Sequence, residues 1–407
     1  MKTIFVLLIA LAVQAQAAEP NLRKIDSLQN VLKNDVPDSV RADAYFQIAD
    51  EYWNVIEDKA RQEANFTRAM QYANQCITLS EKCNYRQGVG DAYYIISGVH
   101  DDRGKHIEAL EWGKKALQYR IESGDEKKVI KVLFHLGIIC GNLRDTEQQL
   151  QYYFDGLIRE ERLGGVEAAG IYHNVGMIYD AAGKRKEAIT YTKKALIINE
   201  KPGGNKNWLG INCLMLGHYL SNNVEIYNDE ALKYFDRGRE IFLSLGYKEQ
   251  FGMALVGLGI MLSHSGKHRE GVDTMHKALA VFREIQNKNG IAWTYNCLGL
   301  CYTRQKKYRE AAVSLDSCLQ LCKELGPIAM RNVYQRLYQL DSTSGNTASA
   351  YTHYRLYINL RDSINNTESL QALAKHQLRS EYSKKKSGKK PNRKRKKHYK
   401  RLSATLF

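Results

Sequence analysis

Four segments of this chain repeat one arrangement of small and bulky residues, and this repetition limits the fold to stacked copies of a single unit. In each segment an apolar residue precedes a small anchor residue, and a turn follows about seven residues later. A second small residue, a bulky residue and a third small residue then come at nearly constant spacing. The segments are FHLGIICGNLRDTEQQLQYYFDGL, HNVGMIYDAAGKRKEAITYTKKAL, LVGLGIMLSHSGKHREGVDTMHKAL and YNCLGLCYTRQKKYREAAVSLDSCL.

The anchor residues divide the chain into eight units, from about Arg41 to about Asn366. Successive anchors from Ser97 onward are separated by 39 to 42 residues, whereas the first separation is 48 because VIEDKARQEANF lengthens that connection. The anchors are Ala49, Ser97, Gly137, Gly176, Gly217, Gly259, Gly299 and Tyr338. Helical spacing between the repeated features of each unit predicts an all-α fold of paired helices.

Small residues at fixed positions indicate where two antiparallel helices approach each other closely. In the fourth unit these positions are Gly176, Ala188 and Ala195, and the rings of Tyr179 and Tyr191 fill the space beside them. Tyrosines at packing positions of other units are likewise expected in the core: Tyr153, Tyr302 and Tyr354. Each helical hairpin then exposes an apolar face that only the next hairpin can cover. The units are therefore expected to stack into a solenoid.

The segment HNVGMIYDAAGKRKEAITYTKKAL resembles the tetratricopeptide repeat, with matches at Gly176, Tyr179, Gly183, Ala188 and Ala195. That family has a period of roughly 34 residues, so the units here are longer by about six residues. HEAT repeats have a similar period but lack this set of small residues. The resemblance implies a right-handed superhelical solenoid of about eight tetratricopeptide-like hairpins with a period near 40 residues.

The segments outside the repeats predict a five-part organisation of the chain. Residues 1–17 have the features of a signal peptide, with an apolar stretch from Ile4 to Val13 and the sequence AQA before a cleavage site near Ala17. The product is accordingly expected to be exported, to the periplasm or the medium. Residues 18–40 predict an N-terminal capping helix, 41–366 the array, 367–383 a polar linker helix and 384–407 a basic disordered tail.

The positive charge of the chain is concentrated in that tail. The chain carries 60 basic and 44 acidic residues, for a net charge of +16, and twelve of the Lys and Arg residues lie between Lys384 and Arg401. The tail offers an alternative function, in which it binds a polyanion such as nucleic acid or an anionic membrane surface. Export disfavours nucleic acid as the ligand, which leaves a weak membrane contact as the tail's alternative partner.

No motif of a known catalytic site is present in the sequence. It contains neither a phosphate loop ending in Gly-Lys-Ser/Thr nor the G-x-S-x-G or H-E-x-x-H patterns. The sequence therefore predicts a protein without catalysis, cofactor or metal. The eight cysteines are best interpreted as small packing residues; a disulfide or a zinc site is the alternative at Cys297, Cys301, Cys318 and Cys322.

The resemblance implies that first-helix positions line a binding groove for a protein or peptide. These positions are Asp43, Phe46, Asp50, Trp53, Asp91, Tyr94, Asp101 and Asp102 in units one and two, Lys131, Phe134, Asn142, His173, Met177 and Asp180 in units three and four, and Leu214, His218, Asn222, Met253, His264, Trp293, Asn296, Arg304, Asn332 and Gln335 in the remaining units. Five aspartates and three aromatic residues gather at the N-terminal end. This combination suits a partner with basic and apolar side chains. The alternative is that the charges are solvated and the rings pack within the array.

The last unit, AYTHYRLYINLRDSINNTESL, resembles the terminal repeat of extracytoplasmic tetratricopeptide sensor regions of bacterial receptors. That resemblance implies either a stand-alone periplasmic relative or the sensing part of a truncated signal-transduction receptor. A frameshift near Lys386 is a hypothesis for the second case, because purine-rich codons read one base over encode linker-helix residues. An open frame for a membrane span beyond that codon would support the hypothesis, and its absence would end it.

Overall fold

The computed structural model describes residues 22–54, 59–163, 168–222 and 224–365, and within these ranges the chain is helical with no strand. The predicted signal peptide, the linker helix at 367–383 and the tail at 384–407 lie outside them. The helices are α1 (Leu22–Lys33), α2 (Asp38–Trp53), α3 (Lys59–Lys82), α4 (Arg86–Asp102), α5 (His106–Ser123), α6 (Glu126–Asn142), α7 (Thr146–Leu163), α8 (Ala168–Ala181), α9 (Arg185–Asn199), α10 (Lys206–Leu220), α11 (Asp229–Leu245), α12 (Lys248–His264), α13 (His268–Glu284), α14 (Lys288–Arg304), α15 (Tyr308–Leu325), α16 (Pro327–Thr343) and α17 (347–365).

Helices α2 to α17 form eight consecutive hairpins, which confirms the predicted all-α solenoid of about eight units. The two helices of a hairpin pack along each other, and the second helix also packs on the first helix of the next hairpin. First helices of neighbouring hairpins also contact one another. Each hairpin thus covers the apolar face of the preceding one, as the repeat pattern requires.

The N-terminal helix α1 packs against α2 and buries Ile25, while Leu22 at its start is exposed. The first hairpin begins at Asp38, three residues before the predicted start of the array at Arg41. Pro37 occupies the N-cap position of α2, and Asp38 supplies a carboxylate to its first turn. A negative charge there is stabilised by the unpaired N–H groups of the helix, which favours a start at this point.

Small residues lie where the two helices of a hairpin come closest, as the pattern predicts. In the sixth hairpin a Cβ on Gly259 would lie 2.7 Å from the carbonyl oxygen of Gly271, and a Cβ on Gly271 would lie 2.5 Å from that of Gly259. The second hairpin has Ser97 instead, and its hydroxyl donates to the Ala109 carbonyl oxygen at 2.7 Å. The buried hydroxyl is thereby paired, so that serine fits the same position.

Aromatic rings fill the spaces beside these contacts. Tyr179 and Tyr191 stack with ring centroids 5.3 Å apart and planes 6° apart, as predicted for the fourth unit. Gly183 turns the chain between α8 and α9 with a φ of +77°, a conformation that glycine adopts without steric cost. The prediction that Tyr354 also belongs to the core is wrong, because this side chain in the last hairpin is 43% exposed.

All eight cysteines are free thiols in the structure, and only Cys83 among them is exposed. The closest pair is Cys318 and Cys322, whose sulfur atoms lie 3.6 Å apart, and the Cys318 thiol donates to the Ala292 carbonyl oxygen. Among the described residues, no three His, Cys, Asp or Glu side chains are grouped so that they could hold a metal ion. In the same part of the chain, no helix combines the length and apolar character that crossing a membrane requires.

Candidate binding face on the first helices

The candidate site is the surface formed by the first helices of the hairpins, α2, α4, α6, α8, α10, α12, α14 and α16, which we call the first-helix face. Neighbouring first helices lie side by side, so equivalent positions form rows across several hairpins. All the binding positions implied by the repeat belong to these helices or to the turns that directly follow them. Their surroundings differ along the array.

Three aromatic side chains connect the first three hairpins on this face. Trp53 of α2, Tyr94 of α4 and His135 of α6 contact one another edge to face, with centroid distances of 5.4 Å, 5.5 Å and 6.0 Å. The indole of Trp53 lies directly on the backbone of Gly98, where a Cβ would be only 1.9 Å from it. Trp53 and Tyr94 remain half-buried, so they are available for contact.

Two aspartates flank these rings. Asp102 is exposed and accepts a hydrogen bond of 2.7 Å from Trp53 Nε1. Neighbouring groups shield its carboxyl group from part of the solvent and raise its pKa to about 6, so that it is mostly charged at neutral pH. Asp50 is half-buried and accepts a hydrogen bond of 2.9 Å from the Asn54 side chain, and burial raises the pKa of its carboxyl group. The rings and carboxylates therefore form one continuous acidic and aromatic surface, which we call the N-terminal patch: Asp50, Trp53, Tyr94 and Asp102.

Two other predicted aspartates are engaged within the array. Asp101 is buried and binds His106 Nδ1 at 2.7 Å and the Asn142 amide at 3.2 Å. Asp43 is half-buried and accepts a hydrogen bond of 2.9 Å from the Tyr85 hydroxyl. Burial raises the pKa of Asp43, while the Tyr85 bond opposes that shift.

Asp91 is the most enclosed of the predicted binding residues, with an exposed side-chain fraction of 0%. It lies 2.9 Å from the Arg120 guanidinium of α5, which is itself 2% exposed, and it also binds Lys128 of α6. The Arg120 guanidinium lies over the Tyr94 ring at 4.5 Å, and the Lys128 ammonium lies 5.7 Å from the centre of the Phe46 ring. Asp91 therefore links three helices, and a ligand on the surface does not reach it in this structure.

The predicted residues of the third and fourth hairpins are mostly internal. Phe134 is half-buried beside Tyr153, and Met177 is half-buried on α8. His173 is buried, donates to Asn212 Oδ1 at 2.7 Å, and has its pKa lowered to about 4 by burial. Asp180 is buried with its carboxylate 3.6 Å from Arg185. Lys131 of α6 is the exposed charged residue among them, so this part of the first-helix face offers a ligand little charge beyond that ammonium group.

The predicted residues of the last four hairpins divide into buried and accessible ones. His218 is buried against Phe235 and Trp293, and burial lowers its pKa to about 3. Asn296 is also buried, and it accepts a hydrogen bond from Arg336 Nε at 3.4 Å. The accessible ones are Asn222, which binds Arg185; His264, Trp293, Asn332 and Gln335, which are half-buried; and Arg304, which is exposed.

A loop that the sequence interpretation missed lies against this C-terminal part. The turn between α10 and α11 runs from residue 221 to 228, whereas the turns of hairpins two, three, four, six and seven have three residues. Glu225 of this loop lies on Arg304 of α14 and Arg336 of α16. The length of the turn was visible in the sequence as NNVEIYND, but nothing local indicated where its acidic residue would bind.

The charge of the first-helix face changes sign along the array. Helices α2 and α4 carry Asp43, Asp50, Asp91, Asp101 and Asp102. Helix α14 contains no acidic residue, and the one acidic residue of α16, Asp341, is bound to His353 at 2.6 Å. The N-terminal helices thus carry the aspartates noted in the sequence, whereas α14 and α16 carry more basic than acidic residues, where the sequence interpretation had indicated a mixed polar surface.

The sequence matches family profiles described as tetratricopeptide repeat over residues 169–202 and 250–324. No curated protein matches it significantly. Among solved structures, it is similar to the apo form of RapI, with a TM-score of 0.56, 16% identity, and coverage of 67% of this chain and 98% of that one.

Two further solved structures show the same arrangement of helices. A Rap protein complexed with competence and sporulation factor gives a TM-score of 0.50 at 15% identity, with coverage of 85% of this chain and 98% of that one. A STAND signal-transduction ATPase with a tetratricopeptide repeat sensor, from Pyrococcus horikoshii, gives a TM-score of 0.55 at 16% identity. The match covers 83% of this chain and 55% of the ATPase.

These similarities agree with the hairpin geometry, since the two profile matches fall on the fourth hairpin and on the sixth and seventh hairpins. At such low identity the solved structures establish the fold alone. The profile matches agree with the small-residue contacts inside the hairpins and with the stacking of eight such hairpins. The chain is a tetratricopeptide repeat protein.

Proposed function

We propose that this protein is a non-catalytic binding module that takes a protein or peptide on its first-helix face, with basic and apolar side chains of the partner on the N-terminal patch. The observation that carries the proposal is the bond between the Trp53 indole and the exposed Asp102 carboxylate. It places an aromatic surface and a negative charge side by side, which suits the stem and the head of a Lys or Arg side chain.

The environment of the patch supports this proposal. Asp91 and Asp101 are buried and Asp43 accepts the Tyr85 hydroxyl, which leaves Asp50 and Asp102 as the aspartates of α2 and α4 that lie beside Trp53. Rigid aromatic side chains lose little conformational entropy when a ligand covers them. The solved complex of a Rap protein with competence and sporulation factor is consistent with this use of the fold.

Replacing Asp102 with asparagine is expected to weaken the binding of a basic peptide about two- to five-fold, because one exposed charge contact is lost. The measurement is fluorescence polarisation with labelled short peptides of Lys, Arg and Leu, compared with peptides of Glu and Leu or of Ser and Gly. The introduced amide retains an oxygen that accepts the Trp53 bond, so the fold of the patch is preserved.

The matched control is Asp273→Asn on α13, because Asp273 is exposed on a second helix and lies far along the chain from the patch. This control variant is expected to bind the basic peptide as the unchanged protein does. Equal affinity in the Asp102 and Asp273 variants, or no preference for the basic peptide over the Ser and Gly peptide, would contradict the proposal.

We further propose that the array acts outside the cytoplasm, as the sensing region of a signalling protein. The apolar stretch from Ile4 to Val13 and the AQA sequence support export. Mass spectrometry of the protein from a bacterium expressing the full gene is expected to find a mature N-terminus at Ala18 in the periplasmic or culture fraction. A product that begins at Met1 and remains inside the cell would rule out this localisation.

A further inference from the structure

The loop between α10 and α11 carries Glu225 onto two arginines that are far away in sequence. Arg336 Nη2 donates to one carboxylate oxygen of Glu225 at 2.7 Å, and Arg304 Nη2 donates to the other at 3.1 Å. Arg304 Nη2 also donates to the Glu225 backbone carbonyl oxygen at 2.8 Å. Both oxygens of a single carboxylate are thus held by guanidinium groups from two successive first helices.

The two arginines are held in place by the array as well as by Glu225. Arg336 is 4% exposed, and it donates to the side-chain oxygens of Gln339 at 2.8 Å and Asn296 at 3.4 Å. Arg304 also donates to His264, whose pKa burial lowers to about 4, so His264 is neutral and accepts. A pair of guanidinium groups with fixed positions is a preformed site for a planar anion.

The loop itself adopts an unfavourable conformation to reach this site. Val224, the residue before Glu225, has a φ of +63°, which is disfavoured for a β-branched side chain. The loop is held by the buried Val224 side chain and by the bonds of the Val224 and Ile226 amides to Ser221. Ile226 and Tyr227, which follow Glu225, remain exposed.

We propose that Arg304 and Arg336 form a second binding subsite, for a carboxylate of an acidic peptide, and that Glu225 occupies this subsite until such a peptide displaces it. The basic character of α14 and α16 favours an acidic partner over a basic one. A cleft of about 250 Å³ adjoins the site, lined in part by Tyr227, His264 and Arg304, and it gives the incoming chain a path beside the loop.

Because Glu225 must be displaced, the subsite fills only at a higher peptide concentration than an open site would need. A ligand that must replace an internal carboxylate binds with an apparent affinity reduced by the fraction of molecules whose site is open. Once the incoming carboxylate is bound, both arginines are paired again, so the exchange leaves no buried guanidinium without a counter-ion. The subsite is separate from the N-terminal patch and binds a ligand of the opposite charge. The test of one binding site can therefore fail while the test of the other succeeds.

The first test compares variants of the full chain in fluorescence polarisation with a labelled short peptide of Glu and Leu. Glu225→Gln is expected to bind this peptide about ten-fold more tightly than the unchanged protein, because the internal competitor has lost its charge. Adding Arg304→Gln to that variant is expected to abolish the gain. Glu230→Gln is the matched control, since Glu230 is exposed at the start of α11 and pairs with Lys193 instead.

The proposal would be overturned if Glu225→Gln did not bind the peptide more tightly, or if Glu230→Gln bound it equally tightly. Tighter binding that persists after Arg304→Gln is added would also overturn it. A second measurement uses the unchanged protein, so that it does not depend on the folding of any variant. Hydrogen exchange at the Val224 and Ile226 amides is expected to accelerate when the Glu and Leu peptide is added, and to stay constant with the Lys, Arg and Leu peptide. Unchanged exchange at a saturating concentration of the acidic peptide would also overturn it.

Discussion

Replacing Asp91 with alanine is expected to lower the free energy of unfolding by about 3–5 kcal/mol, because it leaves the buried Arg120 guanidinium without its counter-ion. Arg120 and Asp91 are 2% and 0% exposed, so water does not replace the lost carboxylate. Arg120 would keep its bond to the Lys128 carbonyl oxygen, which does not neutralise its charge. Urea titrations followed by circular dichroism measure the change.

The matched control is Glu324→Ala, which removes a carboxylate from an exposed ion pair with Lys288. Exposed pairs contribute about 0–1 kcal/mol, so this variant is expected to unfold nearly as the unchanged protein does. Combining Asp91→Ala with Arg120→Met removes both buried charges, and it should recover most of the loss. If Asp91→Ala costs no more than Glu324→Ala, the buried network does not stabilise the fold.

Acidification from about pH 7.5 to about pH 5 is expected to destabilise the array through its buried histidines. The pKa of His218 is about 3 in the folded chain and about 6.5 when unfolded, so below pH 6.5 only the unfolded chain takes up the proton. The stabilisation is therefore complete above pH 6.5 and is lost as the pH falls. At pH 5 the loss is about 2 kcal/mol for His218, and a similar value applies to His173.

The variant His218→Leu isolates this contribution. Asp43 and Asp50, whose pKa values burial raises, change the stability in the opposite direction on acidification, so the total pH dependence is a sum. The difference between the unchanged protein and His218→Leu cancels those carboxylates, and the variant should lose about 2 kcal/mol less over the same range. His276→Leu, which removes an exposed imidazole on α13, is the matched control. If the free energy of unfolding changes equally with pH in all three proteins, the assignment of this effect to His218 is refuted.

The fold followed from local pattern, because the residues that determine a hairpin are close in sequence. Gly176, Ala188 and Tyr179 lie on two adjacent helices, and their spacing specifies which side of each helix faces the other. The array begins at Asp38 and not near Arg41, and this start also has a local signal, in Pro37 at the N-cap and Asp38 in the first turn of α2.

The side chains of the first-helix face were much harder to predict. The repeat indicated which helix carries Asp91, His173 and His218, but it did not show which neighbours would enclose them. Asp91 is enclosed because Arg120 of α5 and Lys128 of α6 converge on it, which depends on the rotamers of three helices.

Glu225 shows the limit of pattern-based inference most clearly. Its partners are 79 and 111 residues away in the sequence, on helices of two other hairpins. A repeat pattern relates each residue to equivalent positions in other units, whereas this loop has no equivalent in them. Its path is determined by tertiary packing, which the sequence of one chain does not reveal.

The glycine contacts of the sixth hairpin bear on how the array folds. Helix α12 contains Gly252, Gly257 and Gly259, and each glycine inside a helix costs about 1 kcal/mol relative to alanine. Phe235 of the fifth hairpin lies against Gly257, and Phe282 of α13 lies against both Gly252 and the first turn of α14 in the seventh hairpin. In a repeat array, stability is the sum of what each unit contributes alone and what each interface adds. The glycines lower the intrinsic helix propensity of α12, so this helix is held by its packing on α13 and on the fifth hairpin, and we expect the fifth and sixth hairpins to unfold as one cooperative block.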